Sequence, residues 1–197
     1  LLLEHKKSGK PGVYVLFAGA ENKWVWGDAL SATADAMRRK NAEVFGDHPD
    51  REVADAFVME RVEGVRNCLI DLYRLCSYGQ FRLSEHLATV RELLASLGEA
   101  HSAHNTTLLL RQKDVNAVFV DLTGWRDERA LSIDDRIADA LARVDVSKEL
   151  PICTGYASGG EGMVKQYDRG YTEVTFSRIG ALTGAAEAII HKEFHLS

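Results

Sequence analysis

The chain has 197 residues, 46% of them hydrophobic and 27% charged, which suits one sizeable α/β domain and leaves too little for two ordinary ones. A formal net charge of −5 without a basic patch argues against a surface that tracks nucleic-acid phosphates. No apolar run approaches the roughly 20 residues of a membrane span, so no membrane partner is expected.

Leu1 to Lys7 lacks the charge-then-apolar order of a signal peptide and an initiator Met, so the chain is expected to be a piece of something longer. Those residues read as the tail of a helix, ended by Ser8-Gly9-Lys10-Pro11-Gly12. Val13 to Ala18 is an apolar run of either type. Leu30, Ala34, Met37, Ala42 and Phe45 recur at helical spacing and predict a helix over 28–45. Asp50 is placed to cap a second long helix reaching Cys76, in which Gly64 is expected to weaken or kink the pattern. Helices over 83–94 and 97–113 follow. Then the period changes. Residues 117–122 are apolar and β-prone, a strand buried on both faces. Ser132 opens a helix to Val144, with Asp135 three residues on in a near-miss to a capping box. Strands over 150–154 and 163–167, a helix over 170–182 and a strand over 187–191 complete the chain. The expected class is α/β: a mainly parallel sheet with flanking helices and a large helical insertion in the first half. Residues 1–113 are the mostly helical part and 114–197 the α/β part.

Three cysteines, Cys68, Cys76 and Cys153, are odd in number and form no CxxC pair, so reduced thiols in a cytoplasm are expected, with no metal site. Cys153 reads as a small buried hydrophobe. His191 and His195 lie in a segment that reads as strand, without the H-E-x-x-H zinc signature. His101 and His104 read as helix-face residues beside the substrate pocket.

The chemistry concentrates between Thr154 and Ser177. A strand opens into Thr154-Gly155, the glycine-rich Gly159-Gly160-Glu161-Gly162 follows, and Arg169-Gly170-Tyr171-Thr172-Glu173 begins a helix. Glycines let backbone N–H groups approach an anion, and a helix start favours one. In open α/β sheets, ligands gather at the carboxyl ends of the strands. On the residues alone this remains a generic phosphate cradle or a mobile surface loop.

Three segments go further. Ser96-Leu97-Gly98-Glu99-Ala100-His101-Ser102-Ala103 is similar to an S-x-G-E-x-x-S-A helix start, Pro151-Ile152-Cys153-Thr154-Gly155-Tyr156 to P-V-V-T-G-F, and Arg169-Gly170-Tyr171-Thr172-Glu173 to R-G-Y-T-D. In this order they resemble the aspartokinases of the amino-acid-kinase fold. The chain resembles an internal slice of that catalytic domain, without the K-F-G-G-T-S segment and the regulatory ACT domains, and by itself is expected to be inactive. Its long helical insertion and H-K-E-F-H ending resemble the branch associated with ectoine synthesis.

The resemblance implies transfer of the ATP γ-phosphoryl group, carried with Mg²⁺, to the side-chain carboxylate of L-aspartate. It also implies a homo-oligomer in the full-length protein. It implies that Glu99 pairs with the substrate ammonium; on the residues alone Glu99 is an ordinary acid in a helix's first turn. Arg169 would grip the α-carboxylate in a bidentate fork. Gly170, Tyr171 and Thr172 would turn backbone N–H groups to the substrate. Glu173 stands where the family has Asp and, with Arg169, would serve the transferring phosphate. Thr154 and Gly155 would touch the nucleotide phosphates. His191 and Lys192, standing where the family has Thr and Asp, would approach the adenosine. The alternatives are another carboxylate kinase of the same fold and a non-catalytic amino-acid-binding relative.

Overall fold

The computed structural model describes residues 2–5, 10–19, 23–160, 162–167 and 170–191. Three long helices form the first part: α2 (Lys23–Phe45), α3 (Asp50–Ser77) and α4 (Leu83–Arg111), preceded by the short α1 (Val13–Ala18). Their apolar stripes meet in one core, where Leu30 of α2, Val58, Val62, Val65 and Leu69 of α3, and Leu94 of α4 are at most 1% exposed. Phe17 of α1 meets Trp26 edge-on at 5.4 Å in the same core.

Four expectations change here. Glu4–His5 (β1) pairs antiparallel with Lys10–Pro11 (β2), so the start is a short hairpin and not a helix tail. Asp50 lies in the first turn of α3 without capping it; its carboxylate accepts instead from the Gln112 side chain at 2.8 Å. Gly64 does not end α3, and it makes room for the indole of Trp125, which a Cβ there would overlap. The helices expected over 83–94 and 97–113 are one. Ser96 donates back to the Leu93 carbonyl at 2.8 Å, Gly98 faces open space, and the burial of Leu94 and Leu97 outweighs a glycine cost of about 1 kcal/mol.

The second part is built on a parallel pair, β3 (Ala117–Val120) and β4 (Leu150–Cys153), in register Ala117↔Leu150 to Val120↔Cys153. Between them runs α5 (Ile133–Leu141), where Ser132 Oγ accepts the Asp135 N–H at 3.1 Å as its cap. Beyond β4 come α6 (Met163–Tyr167) and α7 (Tyr171–Thr183), the latter ended by Gly184 in the left-handed conformation, φ 63°. Among the described residues the parallel sheet has these two strands, fewer than a mainly parallel sheet would have. The segment 163–167 is a helix where a strand was expected, because Gly162, φ 75°, turns the chain and Glu92 accepts its first N–H groups. Residues 187–191 form no strand; Ile189 and Ile190 are exposed.

The two parts are joined by a polar lock. Arg61 of α3, 6% exposed, pairs with Asp121 just past β3 and donates to Thr123 Oγ1 at 3.3 Å. Its guanidinium also lies 4.6 Å from the Trp125 ring. Helix α4 serves both parts, sending Val90, Leu94 and Leu97 into the helical core and Ala95 into the core under β3, α5 and α6. No helix among the described residues is long and apolar enough to cross a membrane.

Candidate functional site

The carboxyl ends of β3 and β4 open toward the middle of α4 and the start of α7, and four predicted residues converge there. Glu99 projects from the middle of α4, not from a first turn. The Gly155 N–H hydrogen-bonds its carboxylate, and the Tyr171 hydroxyl donates to Oε1 at 3.4 Å. A Cβ at position 155 would lie 2.5 Å from Glu99 Oε2 and 2.8 Å from Thr172 Cγ2, so any side chain there would displace one of them. The close approach that requires glycine is therefore to Glu99 and Thr172.

Burial raises the Glu99 pKa above the ordinary carboxylate value, and the hydrogen bonds from Tyr171 and Gly155 oppose the rise. Tyr171 is pushed up to about 12, first by burial and then by the adjacent Glu99 charge. A half-buried carboxylate of this kind is poised to take a cation, because an ammonium would return the solvation that burial removed.

Thr154 sits behind this group. Fully buried, its Oγ accepts the Leu122 N–H at 3.0 Å and donates to the Tyr156 carbonyl at 2.8 Å, while its own N–H goes to the Val120 carbonyl. It ties the ends of the two strands together and presents Gly155. Ser158 continues the tie, donating its N–H to the Leu122 carbonyl and accepting from Arg136 Nε at 2.6 Å.

Thr172 also borders a second space. A cavity of about 750 Å³ runs along α7 between Thr172, Glu173 and Phe176 on one side and Ile189 and His191 on the other. It joins two predicted substrate-side residues to one predicted nucleotide residue. Gly170 is the residue from which α7 starts. Arg169, Lys192 and His195, like Glu161 of the glycine-rich segment, lie outside the described residues. Among the described residues no cluster of three or more His, Cys, Asp or Glu side chains could hold a metal ion.

A comparison of the whole sequence with known proteins gives a relative. Over all 197 residues the chain is 51% identical to an aspartate kinase of Stutzerimonas stutzeri (strain A1501), named Ask_Ect, and it spans 41% of that relative's length. The similarity runs along the whole of this chain. No protein-family profile matches it, and no solved structure does. The similarity thus extends beyond the three motifs, through residues 1–95, which carry none of them.

His101 and His104 are not beside the pocket. His101 Nε2 lies 2.7 Å from Asn41 Oδ1 in a buried cluster with Asn105, and burial lowers its pKa to about 4. His104 stacks on Phe57 of α3 at 4.1 Å, its pKa also lowered by burial. Both serve the packing of α4 on the other helices. Cys153 is partly buried, and burial pushes its thiol up to about 11. The sequence reading missed Glu92. Its signal was there: an acid in an apolar stretch of α4, seven residues before Glu99 and so on the same face.

Proposed function

We propose that this chain carries the amino-acid-binding part of an aspartate kinase of the amino-acid-kinase fold, which transfers the γ-phosphoryl group of ATP to the side-chain carboxylate of L-aspartate, giving 4-phospho-L-aspartate and ADP. The reading rests on the convergence of Glu99, Gly155, Tyr171 and Thr172. Kinship with the S. stutzeri enzyme supports the choice of substrate.

The nucleophile is already ionised at neutral pH, so the protein needs no general base. What it supplies is alignment of two anions. Glu99 takes the α-ammonium and, with Tyr171, fixes the orientation of the amino acid. Arg169 forks the α-carboxylate, and the ammonium and the carboxylate on the α-carbon are then each held by an opposite charge. The first N–H groups of α7, at Tyr171 and Thr172, have no acceptor within the helix and face the reacting groups beside Gly170. Glu173 orders the cationic groups around the transferred phosphate. Thr154 acts by placing Gly155, since its own polar groups are engaged. The cavity along α7 has the size and the mixed polar and apolar walls a nucleotide needs, with His191 at its far side. Mg²⁺ would arrive on the nucleotide phosphates and neutralise their charge.

The test is aspartyl-hydroxamate formation from ATP, Mg²⁺, aspartate and hydroxylamine, with the protein expressed at the full length its gene encodes. Turnover with aspartate supports the reading. Turnover only with another carboxylate would replace the substrate, and binding of aspartate without turnover would leave a non-catalytic relative.

A further inference from the structure

Glu92 has no part in the roles assigned so far. It stands two turns before Glu99 on α4, roughly 10 Å along the axis. Its Oε2 accepts the Val164 N–H at 3.1 Å and its Oε1 the Lys165 N–H at 2.9 Å. The Tyr156 hydroxyl is hydrogen-bonded to the same carboxylate, from a side chain 3% exposed. Gly162 lets the carboxylate in: a Cβ there would lie 3.1 Å from Oε1. The start of α6, in a segment that the sequence reads as strand, thus holds an anion of the protein itself.

We propose that Glu92 is a positioning residue for the amino-acid site. It clasps the segment after β4 onto α4 and, through Tyr156 and Tyr171, holds the wall of the pocket against Glu99. The proposal rests on the reading of Glu99 as the ammonium partner. Each link is a contact. The Tyr156 ring meets the Tyr171 ring edge-on, 6.0 Å between centroids at 74°. The Tyr171 hydroxyl reaches Glu99, and Gly155, which gives Glu99 its N–H, directly precedes Tyr156. A shift of Tyr156 therefore disturbs both groups that touch Glu99. Thr154 and Ser158 bind this segment to the end of β3, whereas Glu92 binds it to the helix that carries Glu99. A carboxylate suits the task because it offers an oxygen to each of two N–H groups; a glutamine offers one oxygen.

Glu92→Gln and Glu92→Asp, in the protein at the full length its gene encodes, test this by three measurements. Amide hydrogen exchange over residues 156–167 reads the clasp without any substrate. Steady-state hydroxamate kinetics give kcat and a separate KM for aspartate and for ATP, and a melting curve monitors the fold. Glu92→Gln is expected to speed exchange at Val164 and Lys165 about tenfold and to raise the aspartate KM about fivefold, with kcat and the ATP KM within about twofold. Glu92→Asp, which keeps both oxygens, is expected to restore part of each. If Glu92→Gln does not fold, Glu92→Asp alone carries the comparison, with smaller shifts in the same direction. Unchanged exchange overturns the clasp. Faster exchange with an unchanged aspartate KM, or an equal loss in kcat and both KM values, overturns the positioning role. Wild-type protein that ignores aspartate, with exchange still accelerated in the variant, would remove the proposed function and the positioning role with it while leaving the clasp.

Discussion

The helical part and the α/β part solve their polar problems in opposite ways. In the first, a buried polar cluster ties helices to one another: Asn41 links His101, Asn105 and Asp55 across three helices. In the second, the polar groups at the strand ends hold loops and helix starts in place around Glu99, which keeps a raised pKa. The contrast separates a closed polar cluster from a half-buried carboxylate that the proposed function offers to a charge. Helix α4 belongs to both, and its two faces carry the two designs.

The largest effect is expected at the seam. Gly155→Ala would force a Cβ against the Glu99 carboxylate and the Thr172 side chain, and the carboxylate must swing from its place to make room. Activity in the hydroxamate assay should fall about a hundredfold or more, because displacement of a positioned group by about 1 Å costs that much. Activity within a few-fold of wild type would mean that Glu99 is not held where the substrate binds.

Arg61→Met tests the join. It leaves Asp121 without its guanidinium partner and should cost about 3 kcal/mol in urea unfolding. A cost under about 1 kcal/mol would show that the two parts are held together by packing alone.

The closed design of the helical part predicts a pH signature. The His101 pKa is about 4 in the folded chain and 6.5 is its ordinary value. Above about pH 6.5 both states carry a neutral imidazole and stability is full. As pH falls from there toward 4, the unfolded chain takes the proton first, and stability declines by roughly 1.4 kcal/mol per unit. His101→Gln should flatten part of that slope, His104 supplying the remainder in the same direction. An unchanged slope would place the acid sensitivity elsewhere.

The smallest effect is expected from Tyr171→Phe. At 3.4 Å its bond to Glu99 is long, so the aspartate KM should rise only about threefold, with the melting temperature unmoved. A hundredfold rise would make Tyr171, not Glu99, the main contact.

Periodicity made the helices legible, because Leu30, Val58, Val62 and Leu69 carry the 3.6-residue pattern of a buried face. It failed where tertiary contacts decide. Residues 163–167 have no helical pattern of their own, and Glu92, distant in sequence, accepts the N–H groups that start the turn. The break between helices expected at residues 95–96 does not occur, because burial of Leu94 and Leu97 on either side carries α4 through. Glu99, Gly155, Tyr171 and Thr172 were legible only together, through the resemblance. No local rule connects a mid-helix acid to a glycine at a strand end. Thr154 showed its residue type but not its task, since a threonine at a strand end reads the same whether its hydroxyl faces a ligand or the neighbouring strand.

The central claim is that Glu99 receives the α-ammonium of the amino acid. Hydroxamate formation with aspartate and with succinate, which lacks that ammonium, tests it directly in wild type and Glu99→Gln. Wild type is expected to favour aspartate about a hundredfold or more in kcat/KM, and Glu99→Gln to lose most of that preference by losing aspartate turnover. A variant that keeps the full preference, or loses both acceptors equally, would contradict the account.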